Sequence, residues 1–237
     1  MSDSSSMAHI GETAQAIVIG ANGAIGGAIV AALRDSGYAS RVLELGRPDL
    51  DLEDEASIVA AARRADAGAG ATRLVIDATG FLHGEGQTPE KSLRDLSYAT
   101  LAHSFAINAI GPALLMKHFL PLLPRQGRGV FATLSARVGS IGDNGLGGWY
   151  GYRASTAALN QLVRTAAIEL RRSRPQAICV ALHPGTVASR LSAPFAKSGL
   201  DVRPPGEAAN ELLDVIGRLT PAMSGGFFDQ HGEAIPW

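Results

Sequence analysis

The chain has 237 residues, 46% of them hydrophobic and 18% charged, with a formal net charge of -1. That is enough apolar chain to bury one large core, and the near-neutral balance, with no basic block, argues against nucleic acid or an anionic membrane surface as partner. No apolar run reaches the roughly 18 residues of a membrane span, and the single Cys179 lies in an apolar strand-like run, so it reads as a buried, inert thiol in a reducing, cytoplasmic setting.

Residues 1–13 are polar and Ser-rich and lack the basic-then-apolar order of a signal peptide, so they are expected to be a disordered tail. Residues 14–237 are expected to form one domain. Short apolar runs predict strands at 16–19, 41–45, 74–78, 129–134, 177–182 and 226–228. Helical periodicity predicts helices at 24–35, 53–65, 100–123, 152–172 and 205–219. Strands that are apolar throughout are buried on both faces. Their alternation with helices implies right-handed crossovers, a parallel sheet and a helix layer on each side. Ligand is then expected at the carboxyl ends of the strands, where the strand order switches. The stretch 189–205 is polar, irregular and contains proline. It is long for a connection, and reads as a lid or as a surface loop.

The first strand runs into Gly20-Ala21-Asn22-Gly23-Ala24-Ile25-Gly26, and a helical pattern follows at once. Glycines allow a tight turn and close backbone approach to a pyrophosphate. The helix N-terminus adds free N–H groups and the positive end of its dipole. After the second strand comes Gly46-Arg47. A guanidinium there suits a ribose 2′-phosphate, so NADP is the expected cofactor and NAD the alternative. Glu44, if it faced the ribose, would repel that phosphate.

Four further segments complete a pattern: Asn108 inside Phe105-Ala106-Ile107-Asn108, the run Leu134-Ser135-Ala136-Arg137-Val138-Gly139-Ser140, the segment Tyr152-Arg153-Ala154-Ser155-Thr156, and Pro184-Gly185-Thr186-Val187. With the glycine-rich turn, they resemble the short-chain dehydrogenase/reductase superfamily. Leu134-Ser135-Ala136-Arg137-Val138-Gly139-Ser140-Ile141, Tyr152-Arg153-Ala154-Ser155 and the ending Phe-x-x-x-x-Gly-x-x-Ile-Pro-Trp at Trp237 together make the chain look like the C-factor-like subgroup, which contains carbonyl reductases and proteins implicated in cell signalling.

The resemblance implies an α/β, Rossmann-type, doubly wound parallel sheet of about seven strands. It implies hydride transfer between a nicotinamide and a carbonyl or alcohol substrate, with Tyr152 as the proton donor. Asn108 matches the residue whose carbonyl holds a water, and Pro112 suggests a kink beside it. The family's carbonyl-holding Ser falls at Ala136, so Ser135 and Ser140 remain candidates, 17 and 12 residues before Tyr152. The family's spacing lies between the two. Asp51 and Leu52 resemble its adenine contacts, and Asp77-Ala78-Thr79-Gly80 its Asn-Asn-Ala-Gly segment over the adenine ribose. Pro184, Gly185 and Val187 match the loop that contacts the carboxamide. Relatives associate through the two long helices, so a homotetramer or homodimer is implied.

The main departure from the pattern lies after Tyr152. The family carries a Lys four residues after the Tyr, and here that residue is Thr156. A phenol of pKa about 10 then lacks its neighbouring cation. Neutral Tyr152 still serves as an acid, so reduction is expected to suffer less than oxidation. A nucleotide-binding protein with little turnover and an imine-type reductase are the other readings. Lys117 lies nine residues beyond Asn108, about 13 Å along a helix axis, too far to replace the Lys. Tyr150 reads as a packing residue, and His83, Trp149, Leu191 and Phe195 as candidate pocket walls.

Overall fold

The computed structural model describes residues 14–68, 70–84, 86–195 and 202–237. The expected tail 1–13 lies outside these residues, as does part of the stretch 189–205. The strands are β1 (Ala14–Ile19), β2 (Arg41–Leu45), β3 (Ala71–Asp77), β4 (Gly129–Leu134), β5 (Ala177–Leu182) and β6 (Phe227–Phe228). They form one sheet in the order β2-β1-β3-β4-β5-β6, with every neighbouring pair parallel. The helices are α1 (Ala24–Asp35), α2 (Glu55–Asp66), α3 (Tyr98–Phe105), α4 (Gly111–Phe119), α5 (Tyr150–Ser173) and α6 (Pro205–Arg218).

Alternate strand residues feed two cores. Ile17, Ile19, Phe131, Cys179 and Ala181 pack with residues of α2, α4 and α5. Ala16, Val18, Val130, Ile178 and Val180 pack with residues of α1 and α6. This is the period of two expected of strands covered on both faces. The chain leaves β1 for β2 on one side and returns to β3 on the other, so the strand order switches between β1 and β3. The crevice at their carboxyl ends is where ligand binds in such sheets.

Six strands are present among the described residues, not about seven. Between β2 and α2 the chain carries turns and Asp54, which caps α2 by accepting from Ala56 N at 2.9 Å. No apolar run in that segment could build a further edge strand.

The helical run through α3 and α4 bears on the sequence reading of membrane segments. Tyr98–Leu122 is 25 residues long with mean hydropathy 1.3, long and apolar enough to span a bilayer by length and composition. One side of it packs against the core instead. Leu115, Met116 and Phe119 are buried in the core beneath it, and on its outer side Lys117 and His118 both reach Glu55 of α2.

Candidate active site

The turn after β1 needs its glycines. Gly20 has φ +81, and a Cβ there would lie 2.9 Å from the carbonyl of Ala78 at the end of β3. A Cβ on Gly26 would overlap the Gly20 carbonyl oxygen, so the absence of a side chain lets α1 start directly against the turn. Gly23 caps α1 with no side-chain hydrogen bond, and the first turn holds no acidic residue. The N–H groups of that turn are free of side-chain partners and carry the positive end of the dipole, which fits an anionic pyrophosphate.

Across the crevice, Asp77 is fully buried and replaces an amide. Its carboxyl accepts from Thr79 N at 3.0 Å, Thr79 Oγ1 at 2.6 Å and Thr133 Oγ1 at 2.7 Å. Burial raises its pKa against those hydrogen bonds. An acceptor-only group has thus found three donors, and the segment over the crevice stays ordered.

Asn108 lies in a π-helical turn, Ala106–Ile110, between α3 and α4. Pro112 has no N–H for the carbonyl of Asn108 four residues earlier, so the ladder slips by one residue before it. The expected kink is therefore a π-turn. The Asn108 side chain accepts from Phe81 N at 2.7 Å and donates to Phe81 O at 2.8 Å and Ser155 Oγ at 3.1 Å. It ties the loop after β3 to α5.

The start of α5 is fixed from a distance. Buried Glu90 accepts through its carbonyl from Trp149 N at 2.5 Å, and through its carboxylate from Gly151 N at 3.1 Å. A carboxylate at a helix N-terminus is favoured by the dipole. Trp149 holds φ 52, an uncommon conformation for a bulky residue, and the Glu90 contact secures it. The helix then presents Tyr152, Thr156 and Asn160, at i, i+4 and i+8, along one face.

These elements enclose a cavity of about 460 Å³. Its lining includes Asn22, Gly23, Ala24, Ile25, Ala78, Thr79, Gly80, Asn108, Ser135, Tyr152, Thr156 and Pro184. Burial pushes the Tyr152 phenol up to about 12. Thr156 donates its hydroxyl back to Tyr152 O at 2.7 Å, an internal helix contact. Ser140 faces a separate hollow, lined also by Ile141, Tyr150 and Arg153.

A family model described as enoyl-(acyl carrier protein) reductase matches residues 12–203. The chain belongs to the short-chain dehydrogenase/reductase superfamily. It is 38% identical over 147 residues to the C-signal protein of Myxococcus xanthus, covering 62% of this chain and 84% of that one. It is 32% identical over 191 residues to 1-hydroxy-2-glutathionyl-2-methyl-3-butene dehydrogenase of Rhodococcus sp. (strain AD45), covering 80% and 79%. An NADPH-bound carbonyl reductase from chicken fatty liver superposes with a TM-score of 0.76 at 23% identity, covering 95% of this chain and 99% of that chain. At that identity the likeness is one of fold.

Within the short-chain dehydrogenase/reductase frame, some expected residues lie away from the cavity. Leu52 is buried against Gly111, and Asp51 caps the backbone N–H of Glu53 at 3.0 Å; neither lines it. Val187 is buried and bridges to Arg203, and Gly185, with φ +75, lies against the Arg203 side chain. Arg47 is exposed at the rim, where its carbonyl accepts from Asn22 Nδ2 at 2.9 Å. Glu44 is paired with Arg34 at 2.5 Å, so its charge is answered within the chain. Leu191 lines the cavity. Phe195 meets the rings of His83 at 5.4 Å and Trp149 at 5.1 Å. His83 Nε2 lies 3.0 Å from Arg190 O and 3.1 Å from Leu191 O, joining the loop after β3 to the stretch that begins at Ser189. Sequence reasoning missed Glu90, Arg190 and Asn160. Asn160 could have been found from its i+8 spacing to Tyr152.

Proposed function

We propose that this oxidoreductase is an NADP(H)-dependent reductase of ketones or aldehydes, weakened by Thr156. One observation carries the reading. A phenol pushed up to about 12 opens into the same cavity as a glycine-rich turn built for a pyrophosphate. At neutral pH that phenol is fully protonated, the state an acid needs.

When bound, the cofactor supplies the hydride. Gly23, Ala24 and Ile25 would hold its pyrophosphate at the head of α1, and Ala78, Thr79 and Gly80 would flank it across the crevice. Arg47 would favour a 2′-phosphate, and the pairing of the exposed Glu44 with Arg34 offsets its repulsion. NADPH bound to the chicken-liver relative in fold agrees with this choice. Tyr152 gives its proton to the carbonyl oxygen. Asn108 holds the loop after β3 against α5, keeping the cavity walls in register.

The likeness to the C-signal protein, together with Thr156, favours a second reading, a nucleotide-binding protein with little turnover. NADPH consumption against a panel of ketones and aldehydes separates the two. Turnover that Tyr152→Phe abolishes while NADPH binding persists supports the first. Tight NADPH binding with no consumption supports the second.

A further inference from the structure

The geometry points to Asn160 as a positioning residue that turns the Ser135 hydroxyl proton into the cavity, so that Ser135 takes over the carbonyl-holding role that Ala136 cannot perform. The inference rests on the carbonyl-reductase reading above.

Ser135 is held by the sheet. Its N–H donates to Leu182 O at 2.7 Å, extending the β4–β5 ladder one step beyond the strands. It shares a strand face with Phe131 and Thr133, and Phe131 packs in the core that includes Leu159 and Val163 of α5. Its side chain accordingly meets α5, with Oγ 2.8 Å from Asn160 Oδ1. Both residues are buried, at 7% and 2% exposure. Ser135 lines the cavity beside Tyr152. Ala136 has no hydroxyl and does not line it. Ser140 Oγ accepts from Asp143 N at 3.1 Å and faces the other hollow.

The amide orientation decides what Ser135 can do. With Oδ1 toward Ser135, the serine gives its only proton to Asn160. The Asn160 Nδ2 is then buried without a hydrogen-bond partner among the described residues. An amide's oxygen and nitrogen exchange places by a simple flip. After it, Nδ2 donates to Ser135 Oγ, and the serine proton is released toward the cavity. Both orientations keep one hydrogen bond to Ser135, but the flip pairs one of the two buried N–H groups and leaves a carbonyl in place of the other, and an unpaired carbonyl is the less costly group to bury. The flipped state is the one able to hold a carbonyl oxygen as charge builds on it.

Asn160→Asp keeps the shape but removes the donor, and an ionised carboxylate can only accept the serine proton. With NADPH and the best ketone of the panel at pH 8, kcat should fall about 100-fold, the low end for losing one donor to a developing oxyanion. The NADPH dissociation constant from fluorescence titration should stay at the parental value. Ser135→Ala should show the same loss, and the double variant no further loss, because the two residues act as one unit. A purely structural role for Asn160 would give losses that multiply. Multiplying losses, or parental kcat in either single variant, would overturn the inference. If Asn160→Asp does not fold, parental kcat in Ser135→Ala overturns it alone. A parent that consumes no NADPH with any carbonyl overturns the reductase reading, and this inference with it. A parent that turns over while Ser135→Ala is unaffected overturns only the inference.

Discussion

Restoring the cation beside Tyr152 gives the sharpest test of how this site works. Burial raises the phenol from 10.0 to about 12, so phenolate is disfavoured by about 3 kcal/mol relative to a phenol in water. At pH 8 the ionised fraction is then on the order of 10⁻⁴. Alcohol oxidation needs phenolate as base, so it should be very slow at neutral pH and rise about tenfold per pH unit toward 12. Carbonyl reduction needs the neutral phenol, so it should hold across that range and fall only as pH rises through about 12. In Thr156→Lys an ammonium about 4 Å away, at an effective dielectric of about 20, stabilises the phenolate by about 4 kcal/mol. That is worth about three pKa units and more than offsets the effect of burial. Oxidation at pH 8 should rise by up to about a thousandfold, and its plateau should begin about three pH units lower. The assay is the pH dependence of kcat/KM in both directions, for parent and variant, with NADP⁺ and NADPH. A parent whose oxidation rate is already flat from pH 7 to 9 would refute the reasoning, since another group would then be supplying the charge.

Three other outcomes follow from the geometry. Arg47→Ala should weaken NADP(H) binding by about 1–3 kcal/mol and leave NAD(H) nearly unchanged; equal losses by titration calorimetry would remove Arg47 from the 2′-phosphate. Gly26→Ala should destabilise the fold by about 1–3 kcal/mol, because its methyl would overlap the Gly20 carbonyl oxygen; an unchanged urea midpoint would contradict that packing. Tyr98, Ile110, Leu162 and Ile168 are exposed along α3 to α5, and a homodimer or homotetramer should cover them; a monomeric mass by light scattering at micromolar concentration would reject this.

The layers of the fold were legible because the strands are apolar throughout and glycine marks the turn after β1. The start of β3 was less so. Thr72 and Arg73 interrupt its apolar run, yet Thr72 is buried and bonded to Gln15 of β1, so pairing overrides the pattern there. Tyr152 and Asn108 could be read from local motifs, and both line the cavity. Contacts made across the chain could not. Glu90 caps α5 from 61 residues away, and Ser135 meets Asn160 across 25. Spacing alone left Ser135 and Ser140 unresolved. Strand parity separates them, since Ser135 continues the alternation of Phe131 and Thr133 toward α5.

Whether the site is rebuilt around Thr156 or merely lacks a lysine turns on Gly139. A Cβ on Gly139 would lie 2.6 Å from Thr156 Oγ1, which by itself suggests that the glycine makes room for the threonine. The same Cβ would lie 2.9 Å from the Thr156 backbone carbonyl carbon. That contact is with the helix itself and persists whatever side chain stands at 156. Gly139 is therefore required by the approach of its turn to α5, not by the threonine. The Thr156 hydroxyl, for its part, is satisfied by Tyr152 O within the helix and holds no neighbouring element in place. It also lies 3.2 Å from Arg153 O, and removing it leaves neither carbonyl unpaired, since both also accept backbone N–H groups within α5. A lysine stem lacks the β-branch and can extend into the cavity that Thr156 already lines. The frame is one that lysine fits, and Thr156→Lys should fold with a melting temperature close to that of the parent while changing the pH profile. A variant that loses several kcal/mol of stability would show instead that the packing around residue 156 has adapted to threonine.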